Sequence, residues 1–254
     1  MRTIRLLVEY DGSAFCGFQR QTNQRTVQGA IEAALTRMTG EVIAIVGAGR
    51  TDTGVHAAGQ VISFVTSSAV PVERFVVGVT GLVGADLTVQ RAQEVPATFH
   101  ARYSAQWREY RYRLLVRPQP SALRRMSAYW PGHLRLDVPA MQEVWPFFQG
   151  RHDFSVWENQ NSVSEDPVCQ VHEARMVAVG DEWHLTLRAD RFLYRMVRNL
   201  VGTLVMVGRG QLDVGMVRGL LSGESARDYI VAAPAHGLCF EAVGYDVPWD
   251  GAPD

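Results

Sequence analysis

The segment Gly47-Ala48-Gly49-Arg50-Thr51-Asp52-Thr53-Gly54-Val55-His56-Ala57-Ala58-Gly59-Gln60-Val61 sets one carboxylate, one guanidinium and one imidazole among four glycines. An opposite charge within a few ångströms favours the ionised form of an acid. Glycines on both sides let the backbone bend tightly and let a substrate come close. The runs on either side read as strands, and loops carried on sheet ends are where reacting side chains tend to sit. The segment is therefore the expected reactive centre, with Asp52 its acid and Arg50 its cation.

Two other chemistries fit it poorly. Asp52-Thr53-Gly54 spells the aspartic-protease triplet, but that reaction needs two carboxylates sharing a proton. The chain carries the triplet once, and small dimeric proteases of that kind are nearly all strand, whereas several helices are expected here. Gly47-x-Gly49 lacks the Gly-Lys-Ser/Thr of a phosphate loop and the third glycine of a dinucleotide fingerprint. An Asp beside Gly also commonly serves as a turn former. Arg50, Thr51 and His56 nearby weigh for chemistry instead.

Two further clusters carry cations and aromatic rings. In Arg108-Glu109-Tyr110-Arg111-Tyr112-Arg113, a strand places Tyr110 and Tyr112 on one face and Arg111 and Arg113 on the other. Such a face is either ordinary core or a surface that stacks an unpaired base. In Arg191-Phe192-Leu193-Tyr194-Arg195-Met196-Val197-Arg198-Asn199-Leu200-Val201-Gly202, a helix puts Arg191, Arg195 and Arg198 on one cationic face. Like charges at that spacing repel, so the expected partner is an anion such as a phosphate backbone. His56, His100, His152 and His236 are scattered, with neither HExxH nor a His/Cys cluster, so no metal site is expected.

The elements that must position these residues read from periodicity and punctuation. Ile4, Leu6, Val8 and Tyr10 alternate with Arg5 and Glu9 as a half-buried strand. Thr26 caps a helix closed by Gly40, strands follow at 41–46 and 60–65, Pro71 opens a helix to about Leu82, and 87–95 is a strand. The second half repeats the theme. It has a strand at 107–116, a helix from Asp137 through Phe148, a strand pair at 170–179 and 182–188, a long helix at 191–207, a shorter one from Asp213, and a last strand at 239–246. The expected fold class is α+β: two split β-α-β-type domains, 1–103 and 104–254, with antiparallel-rich sheets that abut. The hinge near residues 99–104 lacks a flexible linker, and the polar run 158–167 is the expected mobile loop.

Composition sets the outer bounds. The 254 residues are 47% hydrophobic and 20% charged, as in a globular protein with a real core. The net charge of −1 argues against a broadly basic coat, yet all 25 basic residues are Arg, planar forks suited to phosphates and bases. No apolar run approaches the ~20 residues of a membrane span, and no signal peptide is expected. Three distant cysteines form no disulfide framework, so a reducing, cytoplasmic setting is expected.

The motifs taken together resemble the tRNA pseudouridine synthase A family. Arg50-Thr51-Asp52-x-Gly54-Val55-His56-Ala57-x-Gly59-Gln60-Val61 is similar to its signature. Tyr10-Asp11-Gly12, Gly17-Phe18-Gln19, Phe99-His100-Ala101-Arg102, Tyr110-Arg111-Tyr112, Met196-Val197-Arg198-Asn199 and Ala233-Pro234-Ala235-x-Gly237-Leu238 follow in the family's order. The resemblance implies isomerisation of uridine to pseudouridine at positions 38 to 40 of the tRNA anticodon arm. It implies a homodimer of two-domain chains, an active cleft between domains, and neither metal nor cofactor. It assigns the catalytic aspartate to Asp52, the base-flipping arginine to Arg50 and the active-site tyrosine to Tyr110. Arg198, with Arg195, Arg191, His56 and Gln60, is expected to contact the RNA. Asp52 acts on this reading either as nucleophile or as base. The chain departs from the family at Thr53, Gly81 and Cys239, and in the acidic pair Glu165-Asp166.

Overall fold

The computed structural model describes residues 1–133, 135–159, 164–223 and 230–250, in two compact units. Met1–Arg108 and Cys239–Asp254 form the first unit, and Glu109–Leu238 forms the second. Both are α+β, with mostly antiparallel strands.

In the first unit, β1 (Arg2–Tyr10) leads to α1 (Val27–Thr39). The Thr26 side chain accepts from Gly29 N–H, and Gly40 closes the helix at φ 75°. This is the pairing of a hydroxyl N-cap with a left-handed glycine stop. Then come β2 (Val46–Gly47), β3 (His56–Thr66), α2 (Val72–Val83) and β4 (Leu87–Val95). β1 lies between β3 and β4, antiparallel to both. An edge-on contact between Phe64 and Phe75, with centroids 5.5 Å apart, ties β3 to α2.

The strand expected over 41–46 shrinks to two residues. Ile43 and Ile45 still alternate inward, but Ile45 N–H donates to the Glu32 carboxylate on α1 at 3.1 Å. A side chain thus takes the donor that a ladder would have used.

The second unit begins within β5 (Ala105–Leu115), followed by α3 (Val138–Val144), β6 (Gly150–Asp153), β7 (Val168–Val179), β8 (Glu182–Ala189), α4 (Met196–Gly208) and α5 (Val214–Leu221). Its strand order is β5-β8-β7-β6. Asp137 and Asp213 cap α3 and α5 through their carboxylates. The helix expected through Phe148 turns 3₁₀ at Trp145, where Pro146 interrupts the α-helical bonding. Trp145, Phe148 and Trp157 meet edge to face, and Phe154 packs tilted against Trp157, completing an aromatic core. The last strand, β9 (Leu238–Tyr245), pairs in parallel with β3 through His56–Cys239 and Ala57–Phe240.

The long helix does not start at Arg191 but at Met196, and Arg195 precedes it in the left-handed conformation, φ 61°. Arg191, Arg195 and Arg198 therefore do not share a helical face. Of the polar run at 158–167, residues 160–163 lie outside the described residues. Among the described residues, no helix is long and apolar enough to cross a membrane.

Candidate active site

Asp52 sits on the loop that links β2 to β3, and the loop is fixed from several sides within the first unit. Val55 N–H donates to Asp52 O at 3.1 Å, closing a tight turn with Gly54 at φ 80°. A turn with positive φ at its third residue favours glycine there. The turn rests on Gly12, where a Cβ would lie 2.0 Å from Val55 O, so the two backbones can approach only because that side chain is missing.

Thr51 turns inward, and its hydroxyl meets the Tyr10 phenol at 2.8 Å. Burial pushes that phenol up to about 12. Phe18 N–H donates to Thr51 O at 3.0 Å. With Thr51 buried, its neighbours Arg50 and Asp52 lie on the outer side, Arg50 exposed and Asp52 half-buried.

Gln60, read from sequence as a substrate contact, is fully buried. Its amide nitrogen donates to Gly49 O at 2.8 Å, and its oxygen accepts from Gly49 N–H at 3.4 Å. It supports the loop from behind. Arg108 holds the start of the same loop, with Nε and Nη2 each 3.2 Å from Ala48 O. Sequence reading placed Arg108 in a basic, aromatic strand without this role, since nothing local marks a partner 60 residues away. His56 is turned inward: Gly12 N–H donates to its Nδ1 at 3.1 Å, and Asp11 Oδ1 lies at the same distance. Its Nε2 is buried without a hydrogen-bond partner among the described residues.

Arg50 and Asp52 stand two residues apart on this loop, the first exposed and the second half-buried.

In the second unit, Tyr110 and Tyr112 do share the buried face of β5. Tyr110 meets Phe192 edge-on with centroids 5.0 Å apart. Arg198, in the first turn of α4, donates from Nε to Ala233 O at 2.8 Å, while Ala233 N–H donates to Arg198 O at 2.9 Å. Arg191 is already engaged: its guanidinium pairs with Asp166 at 2.7 Å and donates to Val168 O at 2.8 Å. That partner lies 25 residues away in sequence, outside any helical spacing around Arg191. Arg195 is exposed, its Cζ 5.3 Å from the Tyr194 ring centre. Among the described residues, no group of three or more His, Cys, Asp or Glu gathers as metal ligands would.

The arrangement presents one carboxylate and one exposed guanidinium from a rigid turn in the first unit. It presents a buried aromatic face and a clasped arginine in the second. A carboxylate held in this way can attack a carbon or take a proton, and arginines can hold phosphates.

Comparison with known proteins gives these features a common frame. A family model described as tRNA pseudouridine synthase matches residues 6–104 and 147–246. The tRNA pseudouridine synthase A of Geobacter sp. strain M21 is 41% identical over 246 residues, covering 96% of this chain and 99% of that protein. The protein of the same name from Halalkalibacterium halodurans is 42% identical over 241 residues, covering 94% and 90%. That from Brevibacillus brevis is 41% identical over 247 residues, covering 96% and 100%. The chain belongs to the tRNA pseudouridine synthase family.

Proposed function

We propose that this chain is an isomerase that converts uridine to pseudouridine at positions 38, 39 and 40 of the tRNA anticodon arm, with Asp52 as the reacting carboxylate. The carrying observation is the fixed turn that leaves Asp52 half-buried while Thr51 and Val55 are buried on either side. Family membership supplies the reaction, and the turn supplies a preorganised acid.

The reaction breaks the N1–C1′ bond of the uridine, turns the retained uracil, and joins C5 to C1′. A uridine stacked in a stem must first be flipped out, at a cost of ~ a few kcal/mol. Arg50, exposed on the same loop, is suited to occupy the vacated place. Asp52 then either attacks C1′ or takes the proton that starts glycal formation. Tyr110 stacks on the freed uracil, and its hydroxyl assists proton transfer at C5. Arg198 and Arg195 grip phosphates; Arg191 does so only by leaving Asp166. The chain acts as a homodimer in the cytoplasm, where its three free thiols are at home.

The test is release of tritium from tRNA labelled at uridine C5. Wild-type protein should release it, and Asp52→Asn should lose at least ~10³-fold in rate, the scale of losing a reacting carboxylate. Normal turnover by Asp52→Asn would remove Asp52 from the chemistry. A noncatalytic tRNA binder would release no tritium at all.

A further inference from the structure

Residues 98–104 connect β4 to β5 in the first unit, and they divide sharply into an inner and an outer face. Phe99 and Ala101 are buried, at 6% and 0% exposure. The inner backbone is pinned from three elements. Tyr245 Oη donates to Ala101 O at 2.6 Å, Ala101 N–H donates to Ser63 Oγ at 3.1 Å, and Arg108 Nη2 donates to Arg102 O. The turn also closes on itself, with Ser104 N–H donating to His100 O at 2.9 Å.

The outer face carries His100, Arg102 and Tyr103. The His100 and Tyr103 rings are stacked, with centroids 4.4 Å apart and planes 25° from parallel. The Arg102 Cζ lies 5.7 Å from the centre of the Tyr103 ring. His100 Nδ1 accepts from the N–H groups of both Arg102 and Tyr103 at 3.2 Å, which fixes the imidazole as the underlayer. Tyr103 is nonetheless 78% exposed, so much of the ring faces outward. Residues 98–104 include no acidic side chain, and among the described residues Arg102 forms no ion pair.

We propose that His100, Arg102 and Tyr103 form a stacking platform for an unpaired base of the RNA substrate. The inference rests on the reading of this chain as a tRNA-modifying enzyme, and it assigns a contact beyond the reacting residues. An exposed aromatic ring beside an arginine with no carboxylate partner suits a nucleotide, whose base offers a π face and whose phosphate offers the anion. The pinned backbone makes the platform preformed, so little ordering cost opposes binding. Arg108 also links the platform to the reacting loop, because the same guanidinium donates to Arg102 O and to Ala48 O. A base stacked on Tyr103 would thus be held by a turn in register with the Asp52 loop.

The experiment measures the Kd of full-length protein for unmodified tRNA, alongside single-turnover tritium release at saturating protein. Tyr103→Ala should weaken binding by about 5- to 100-fold, the range for losing one base–aromatic stack. Tyr103→Phe and Tyr103→Trp, which keep an aromatic face, should bind as wild type. Binding by Tyr103→Ala within twofold of wild type would overturn the platform. So would a loss of self-association by Tyr103→Ala in sedimentation, with tRNA affinity per protomer unchanged, since the ring would then serve a second copy of the chain. Wild-type protein that binds tRNA but releases no tritium strikes the proposed activity instead, so the two failures are distinguishable.

Discussion

The phenol of Tyr10 and the hydroxyl of Thr51 meet at 2.8 Å inside the first unit, 41 residues apart in sequence. The bond fixes the residue that immediately precedes Asp52. Tyr10→Phe keeps the ring but leaves the buried Thr51 hydroxyl without this partner, a change worth ~1–2 kcal/mol. Thermal unfolding should fall by a few degrees, and kcat should drop more than KM rises, because the displaced loop carries the proposed reacting acid. Burial raises the Tyr10 pKa to about 12, so the folded state keeps this proton while the unfolded chain loses it near pH 10. Stability linked to Tyr10 is therefore complete below pH 10 and is lost as the pH rises towards about 12. Denaturant midpoints across that window should slope less steeply in Tyr10→Phe. Equal slopes in the two proteins would remove Tyr10 from the alkaline transition.

Gly54 offers a sharper perturbation of the same turn. Its φ of 80° is one that a Cβ resists, at ~1 kcal/mol or somewhat more for Ala. Gly54→Ala should therefore lower the melting temperature modestly and reduce single-turnover tritium release by about tenfold or more, through the displaced carboxylate. Gly54→Asn should be milder, since Asn tolerates the left-handed region. A Gly54→Ala protein with wild-type turnover would show that the turn does not set the reacting geometry.

Much of this arrangement was legible in the chain, and the exceptions share a physical cause. Periodicity and caps located α1, α2 and α5 to within a residue or two, because Thr26, Gly40, Pro71 and Asp213 are local signals. The loop around Asp52 was legible from residue types alone. What stayed hidden depends on groups far away in sequence. Arg5 alternates with apolar residues and reads as an outward, solvated position. It is instead fully buried, its Nη1 donating to Val247 O at 2.8 Å and its Cζ 4.0 Å from the centre of the Trp249 ring. No window on β1 shows a tail more than 240 residues downstream. Gln60, which the resemblance sets against the RNA, is held inward by two bonds to Gly49, 11 residues back on the loop. The start of α4 was misplaced because apolar spacing continues through Phe192, and nothing in that spacing marks Arg195 as left-handed.

Acid stability of the second unit should depend on Glu182. This buried carboxylate accepts from Arg113 Nε at 2.8 Å and from Arg124 Nη1 at 2.9 Å, and it faces His184 Nε2 at 3.2 Å. Burial alone would raise its pKa, but the two guanidinium groups and His184 outweigh burial and bring it down to about 2. A carboxyl depressed in the folded state contributes stability above its unfolded value, near 4.3, and loses it as the pH falls towards about 2. Denaturant midpoints of wild-type protein should decline across that interval, and Glu182→Gln should decline less while starting lower at neutral pH. Parallel curves would show that other carboxylates govern acid unfolding.

The last prediction concerns how Arg198 is held. Tyr112 is fully buried, and its hydroxyl donates to Pro234 O at 2.8 Å. The preceding residue, Ala233, is bonded twice to Arg198, through Nε and through the backbone. The two side chains also sense each other, since the Arg198 charge partly offsets the rise that burial gives the Tyr112 phenol. Tyr112 is on this geometry a positioning residue that acts through residues 233–234. Tyr112→Phe should reduce kcat/KM on tRNA by about fivefold, the scale of one net hydrogen bond. A double-mutant cycle separates this from general loosening of the fold. In an Arg198→Ala background, Tyr112→Phe should cost nothing further in kcat/KM, although it should still lower the melting temperature. Losses that multiply would mean that Tyr112 acts independently of Arg198, and an Arg198→Ala protein with full activity would remove the arginine itself from the site.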